Sequence, residues 1–506
     1  MKKLLCLLLI CFSILGLSSC NESKTVEKEP TLQVTVKEET PTPTKEPTPT
    51  PEPEPTPIPT PTPTPEVKCS LCAKTPTAEK VVREDLAEHT PTTFDAQTVE
   101  VETLAIYDGV IQKTYTFKKN NGKTSKVVVT EVDLSKVSIG AGTYENRFSS
   151  IIKSTPISQA LAYESANEGV SVLAAVNADF FGGDACVNAF VKDSVIIKSG
   201  HNDRGIYDYT NLDADLPASM PMLFGVSGEV AQVAPIIQNA SVEETVKAKL
   251  SYELNFTNKD NTTTLTEGIT FNNEEGSKTM LNIITSDETI CTALPGSKVL
   301  SIKKHITNTT RVHGEIEDVT EILGTSIYRA NEDYFYIVIP EESGFNDYQI
   351  GDLVSYNVTS PDETWKYYDT IIGCRQALVI DGEIASTVTK ENSNGAQGVN
   401  VPRTAVGVMP NGLVAIFSVE SLSYGNITAT NSTSGLSLPE LADFMRYYGV
   451  YSGANFDGGG STQLITKNPN TNEFEVVVRS SDYGTFNLEN SRKVINTLLV
   501  YTKEKE

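Results

Sequence analysis

The stretch 452-SGANFDGGGSTQLI-465 decides how the rest of the chain is read. Residues 452–456 have the pattern of a strand end, Asp457 follows, and three glycines lead to Ser461 and Thr462. Consecutive glycines cost backbone entropy, so a geometric demand must keep them. The demand is either a backbone conformation closed to other residues or close approach of the main chain to a ligand. Successive glycine N–H groups also make an anion-binding concavity, and Asp457 would set a carboxylate beside a phosphate or polyol held there. The plain alternative is a tight turn in which Asp457 bonds to its own backbone. The string alone leaves both open.

Working back from this loop, the strand that delivers Asp457 follows a helix. Ser437 or Leu438 stands before a proline-started helix, and Glu440 lies three residues after Ser437, as in a capping box. Leu441, Phe444, Met445 and Tyr448 give that helix its apolar side, and Gly449 ends it. Upstream, 403-RTAVGVM-409 and 412-GLVAIFSVE-420 read as strands, and 371-IIGCRQALVIDGEI-384 as a strand pair turning at Asp381-Gly382. Downstream, 474-FEVVVRS-480 and 494-VINTLLVY-501 form a last strand pair, with Arg492 just before the second.

The earlier part has the same character. Residues 102–107 and 111–118 are strands about Asp108-Gly109, Asn120-Asn121-Gly122 is a hairpin turn, and 126-KVVVTEVDL-134 is a strong strand. Thr155-Pro156 opens a helix with Ile157, Ala160 and Leu161 on its apolar face, running to about Asn167 before Gly169 stops it. Then 171-SVLAAVNADFF-181 is a buried strand running into a loop that carries Asn177, Asp179, Phe180, Phe181, Gly182, Gly183 and Asp184. Buried carboxamides and carboxylates need partners, so Asn177 and Asp179 are either caps or a site. The two phenylalanines are either a sugar-stacking wall or core.

Residues 235–365 read as many short strands between Asn/Thr/Gly turns, including runs at Asn261 and Asn308, with little helical periodicity. The expected fold class is α+β, a mixed β-sheet core with few helices and a β-rich inserted subdomain. The expected organisation is a signal over 1–20, a stalk over 21–68 and a linker over 69–95. A first part of the main domain follows over 96–234, the inserted subdomain over 235–365, and the second part over 366–506.

Lys2 and Lys3 followed by an apolar run from Leu4 to Leu17 make a secretory signal. It resembles a bacterial lipoprotein signal, whose Leu17–Cys20 box would be cut before Cys20 and the cysteine lipidated. The Pro/Thr-rich tract at 41–65 builds no core and favours extended polyproline II. The expected location is therefore extracytoplasmic, on a bacterial cell surface, held to the membrane only by the lipid. Cys69 and Cys72 suit a local disulfide, and Cys186, Cys291 and Cys374 leave an odd number over. A formal net charge of −24 repels phosphate backbones, which excludes nucleic acid as an expected partner. Any anionic substrate must be met by locally placed arginines and backbone N–H groups. Oligomeric state is not legible in these patterns.

Four pieces, in this order, resemble the phosphodiester glycosidase family: VNADFF at 176–181, IGC…LVIDGEI at 372–384, RTAVG at 403–407 and NFDGGGSTQL at 455–464. GLSLPELADFM at 435–445 and SRKVINTLLV at 491–500 fit as well, so that the resemblance covers about 125–502. DGGGS and RTAVG are specific in combination. Two departures stand out. Asn177-Ala178-Asp179-Phe180-Phe181 replaces the family's usual Asn-Gly-Gly-Phe-Phe, which adds a carboxylate. Val419-Glu420 stands where Asp-Gly is usual.

The resemblance implies hydrolysis at an anomeric carbon bonded to a phosphodiester. A phosphomonoester leaves well as an anion, so stabilising its developing charge helps most. Arg403 offers a fork for two phosphate oxygens, with Thr404 beside it, and the amides of Gly458, Gly459 and Gly460 offer a third contact. Ser461 and Asn177 would hydrogen-bond ligand or loop. Asp457 is the first candidate for the carboxylate that activates water or stabilises an oxocarbenium-like centre, with Asp179 or Glu420 second. Arg492 serves either phosphate binding or an ion pair. His89, His201, His305 and His313 are scattered, which disfavours imidazole-based metal or triad chemistry. No cofactor is required, and Ca²⁺ is the cation that such oxygen donors would suit. The other readings are a non-catalytic glycan-binding surface lipoprotein and a glycosidase of non-phosphorylated cell-wall polysaccharide.

Overall fold

The computed structural model describes residues 83–145, 151–183, 185–200, 221–237, 250–285, 290–305, 313–331, 333–360, 364–386, 400–421, 433–478, 482 and 491–503, with 78 and 388. The signal, Cys20, the stalk, Cys69, Cys72, Asp184, His201 and the Asn308 run lie outside the described residues. All the described residues fall in one compact unit, Val67–Glu506.

Two α-helices occur among the described residues, α1 (Pro156–Ala166) and α2 (Leu438–Tyr448), and strands supply most of the rest. This is the expected α+β class with a β core. The first sheet has eight antiparallel strands in the order Glu100–Tyr107, Val110–Lys118, Thr124–Val132, Val414–Glu420, Arg403–Val408, Ser452–Asn455, Ala377–Ile380, Glu383–Ile384. A second, antiparallel sheet runs Phe474–Val478, Leu464–Lys467, Val172–Asn177, Thr497–Thr502, Val137–Gly142. The first sheet thus interleaves strands from the beginning and end of the chain, which only non-local pairing can do. Residues of both sheets and of α2 share the main core.

Local chemistry explains the elements. Ser437 caps α2 and Glu440 reaches back to it, so both arms of the capping box form, and Gly449 ends the helix at φ 97°. Leu441, Phe444 and Met445 are buried, and the Phe444 ring stacks on Phe117 with centroids 5.3 Å apart. Burial of such a side chain contributes about 1.5–3 kcal/mol. Helix α1 departs from its expected face, because Leu161 is exposed while Gln159 and Ala160 turn inward. The Gln159 amide explains the rotation, donating to Val494 O at 2.9 Å and accepting from Thr497 Oγ1 at 3.0 Å.

Two strand readings change. The strands at 474–480 and 494–501 share a sheet but are not neighbours, since Leu464–Lys467 and Val172–Asn177 lie between them. Thr370–Gly373 does not pair with its sequence neighbour either. It joins a third sheet, Val230–Pro235, Met222–Ser227, Thr370–Gly373, Phe190–Lys192, Val195–Lys198, while Ala377–Ile380 turns at Asp381-Gly382 onto Glu383–Ile384. Cys374 and Arg375 therefore sit on a link between two sheets. Eight strands between Ser251 and Thr359 make a further sheet with a hydrophobic cluster of its own. Cys186, Cys291 and Cys374 are all buried free thiols.

Candidate active site

The site lies where three neighbouring strands of the first sheet end together. Arg403 pairs with Val419 and Ala405 with Asn455, so Arg403, Glu420 and Asp457 come to one edge. Alternation along a strand sends successive side chains to opposite faces. Thr404 points to the second sheet, where its hydroxyl donates to Asn177 Oδ1 at 2.8 Å. Arg403 turns the other way and donates Nε to Leu436 O at 3.0 Å, beside the start of α2.

Asn177, at the end of its buried strand, ties the sheets together. Its Oδ1 accepts from Thr404 and from the Gln463 N–H at 3.1 Å, and its Nδ2 donates to Asp457 O at 2.7 Å. The Asp457 N–H in turn donates to Ala178 O at 2.9 Å. The main chain of Asp457 is thereby held from both sides, leaving its carboxylate to accept from the Gly458 N–H at 2.9 Å and from the Ser461 hydroxyl. Burial raises the Asp457 carboxyl above the ordinary aspartate value, and these two bonds and the charges of Arg492 and Arg375 oppose the rise.

The glycines have separate reasons. Gly458 donates to its own neighbour's carboxylate, and Gly459, at φ 63°, donates to Pro402 O at 2.8 Å. These two amides are engaged within the protein rather than gathered into an open anion cradle. Gly460 is bare because a Cβ there would lie 2.3 Å from the Asp482 carboxylate. Asp482 is also the ion-pair partner of Arg492, whose Nη1 reaches Ser461 Oγ at 3.4 Å. Of the two roles left open for Arg492, the ion pair is present.

Asp179 is almost wholly buried. It accepts from Asn188 Nδ2 at 2.5 Å and from the Asn188 N–H at 3.1 Å, while its own N–H donates to Asn496 Oδ1 at 3.0 Å. Burial pushes its carboxyl up to about 8, and the Asp457 charge adds to the rise. Burial and the charge of Asp457 thus both favour the protonated form of Asp179. Glu420 is engaged elsewhere, with Lys126 Nζ at 3.6 Å and Thr433 Oγ1 at 3.2 Å. Arg403 is buried, which lowers its guanidinium to about 10 against the favourable charge of Glu440. Among the described residues no three His, Cys, Asp or Glu side chains gather as a metal would require. The structure therefore brings Asn177, Thr404, Asp457, Ser461 and Arg492 into one network with Asp179 beside it, and gives Arg403 and Glu420 other neighbours.

Several members escaped the sequence reading. Asn188 and Asn496 hold Asp179, and Gln463 bonds Asn177 and donates Nε2 to Arg492 O at 2.9 Å. Arg375 lies with its guanidinium 5.3 Å from the Phe180 ring centroid. Gln463 lies within the quoted stretch and was open to notice. Arg375 became visible only through the link between sheets.

No curated protein matches this chain. Among solved structures, a hypothetical protein from Synechocystis shares 14% identity over 80% of this chain and 64% of that one, with a TM-score of 0.43. The chain thus spans 64% of the length of that protein. A putative exported protein from Burkholderia pseudomallei shares 15% identity over 75% of this chain and 74% of its own, with a TM-score of 0.39. The catalytic domain of zebrafish N-acetylglucosamine-1-phosphodiester alpha-N-acetylglucosaminidase, auto-inhibited by pro-peptide, shares 12% over 83% and 97%, with a TM-score of 0.37. Residues 332–501, which carry Arg375, Arg403, Asp457 and Arg492, match the phosphodiester glycosidase family, the one that the motifs at 372–384, 403–407 and 455–464 resemble.

Proposed function

We propose that this chain is a hydrolase that cleaves the bond between the anomeric carbon of a sugar and a phosphodiester oxygen, releasing free sugar and a phosphomonoester. The observation that carries this reading is Asp457, whose backbone is clamped by Asn177 and Ala178 while its carboxyl remains only partly buried at the strand edge. The family matched over 332–501 supports the reaction class.

In this reading water attacks the anomeric carbon as Asp457 accepts its proton. The carbon–oxygen bond breaks, and its electron pair leaves on the phosphate oxygen. A base works best with a pKa brought toward the working pH, and burial moves Asp457 that way. Asp179 keeps its proton, so a second negative charge does not face Asp457. Ser461 orients the carboxylate, and Arg492 and Arg375 place positive charge near it. No cofactor enters the reading. Lipidation at Cys20 and an extracytoplasmic location complete it, with a cell-surface or exogenous glycan as substrate.

The test is to incubate the full chain and its Asp457→Asn variant with sugar-1-phosphodiesters and with matched aryl glycosides lacking phosphate. Release of sugar and phosphomonoester by the wild type, lost in the variant by about 10²–10⁴-fold, is the expected result. Cleavage of the aryl glycosides alone would replace the phosphodiester reading with ordinary glycosidase action. Glycan binding without cleavage would make the protein a binding module.

A further inference from the structure

Arg375 is held at the site by its backbone. Its N–H donates to Asn455 O at 3.0 Å, and the Asn455 N–H donates to Gln376 O at 2.9 Å, two residues before Asp457. Its guanidinium lies over Phe180, the residue after Asp179. Arg375 is exposed, and among the described residues it forms no ion pair. The neighbouring arginines differ. Arg492 is paired with Asp482, and Arg403 is buried with its Nε spent on Leu436 O.

The surroundings make this arginine informative. The chain carries a net charge of −24, so its long-range field opposes the approach of an anion. A site for an anionic substrate needs a local cation that is not already neutralised. A guanidinium stacked over an aromatic ring loses little freedom and keeps its fork of N–H donors for a bidentate acceptor. Phosphate oxygens are such an acceptor. The charge of Arg375 also reaches the Asp457 carboxyl, which places the two groups on the same site.

We propose that Arg375, positioned over Phe180, binds the phosphate of the substrate and makes the site select phosphodiesters over plain glycosides. The inference rests on the phosphodiester reading above and names the residue that enforces it. Arg375 supplies the contact for which Arg403 was the expectation from sequence, because Arg403 faces α2 and Arg375 faces solvent.

The experiment compares the full-length wild type with Arg375→Gln, Arg375→Lys and a remote control, Lys303→Gln. Binding of inorganic phosphate and of methyl phosphate is followed by phosphorus NMR, and initial rates are taken on a sugar-1-phosphodiester and its matched aryl glycoside. Arg375→Gln is expected to weaken phosphate binding by about tenfold to a hundredfold, as for loss of a charged hydrogen bond. Arg375→Lys should recover part of it, and Lys303→Gln should bind as the wild type does. On the phosphodiester kcat/KM should fall by a similar factor, with any rate on the glycoside unchanged. Unchanged phosphate binding in Arg375→Gln, no phosphate binding by the wild type, or an equal loss in Lys303→Gln would each overturn the proposal. Should the wild type cleave no phosphodiester while Arg375→Gln still loses phosphate, the anion site stands and the reaction class falls. Should Arg375→Gln cleave phosphodiesters at the wild-type rate, the reaction class stands and the role of Arg375 falls.

Discussion

The side-chain amide of Asn177 donates to the main-chain oxygen of Asp457 at 2.7 Å, joining the end of a strand in one sheet to the glycine loop that follows a strand of another. The same side chain accepts from Thr404 and Gln463. One buried carboxamide therefore sets the spacing between the sheets and the position of the loop.

Asn177→Ala should destabilise the protein by about 2–4 kcal/mol, because it strands the Thr404 hydroxyl, the Gln463 N–H and the Asp457 carbonyl in the interior. Urea denaturation monitored by tryptophan fluorescence would measure it. A midpoint equal to that of the wild type would mean that the network carries no weight in folding.

The pH dependence follows from Asp179. Its folded value of about 8 lies above its ordinary 3.8, so between these the unfolded chain holds fewer protons than the folded one. Stability from this group is complete below the lower value and is lost as pH rises through the window. Asp179→Asn should therefore gain on the wild type in thermal midpoint as pH is raised across that range. A difference between the two proteins that stays constant with pH would show that Asp179 does not titrate there.

Gly373 is bare for a packing reason that bears on the same aspartate. A Cβ there would lie 2.2 Å from the Asn188 Cβ and 2.9 Å from Ala189 O. Gly373→Ala should push Asn188 off the Asp179 carboxyl and cost about 1–3 kcal/mol by overpacking. Thermal unfolding with and without the substitution checks it, and a cost near zero would mean that the third sheet yields without strain.

Glu440 has work beyond the capping box. It accepts from the Ser437 N–H at 2.8 Å and lies 3.2 Å from Lys119 Nζ, whose side chain is almost fully buried. Burial holds Lys119 below the ordinary lysine value, and Glu440 opposes that shift. Glu440→Gln should cost about 3–5 kcal/mol, as when a buried charge loses its partner. Adding Lys119→Met should recover much of the loss in chemical denaturation. If the single variant costs little, the Lys119 ammonium finds sufficient compensation in Gly435 O, which accepts from it at 3.1 Å.

The sequence by itself determined what depends on neighbours in the chain. The Ser437–Glu440 capping box, the hairpin turn at Asn120–Gly122 and the buried strand ending at Asn177 are short-range patterns, and all form as read. The DGGGS loop was legible as a site or a turn, and in the structure its turn geometry, with the Gly458 N–H donating to Asp457 Oδ1, holds Asp457 at a strand edge. Only the tertiary structure decided which face each site residue takes. Adjacent residues on one strand point apart, so Arg403 and Thr404 reach different layers, and nothing in RTAVG says which layer holds the substrate. Arg375 stayed hidden for the same reason, since its partner Phe180 is distant in sequence and meets it only because the link after Gly373 passes between two sheets. Charge and spacing are written along the chain, whereas burial and opposing faces arise only when the strands pair.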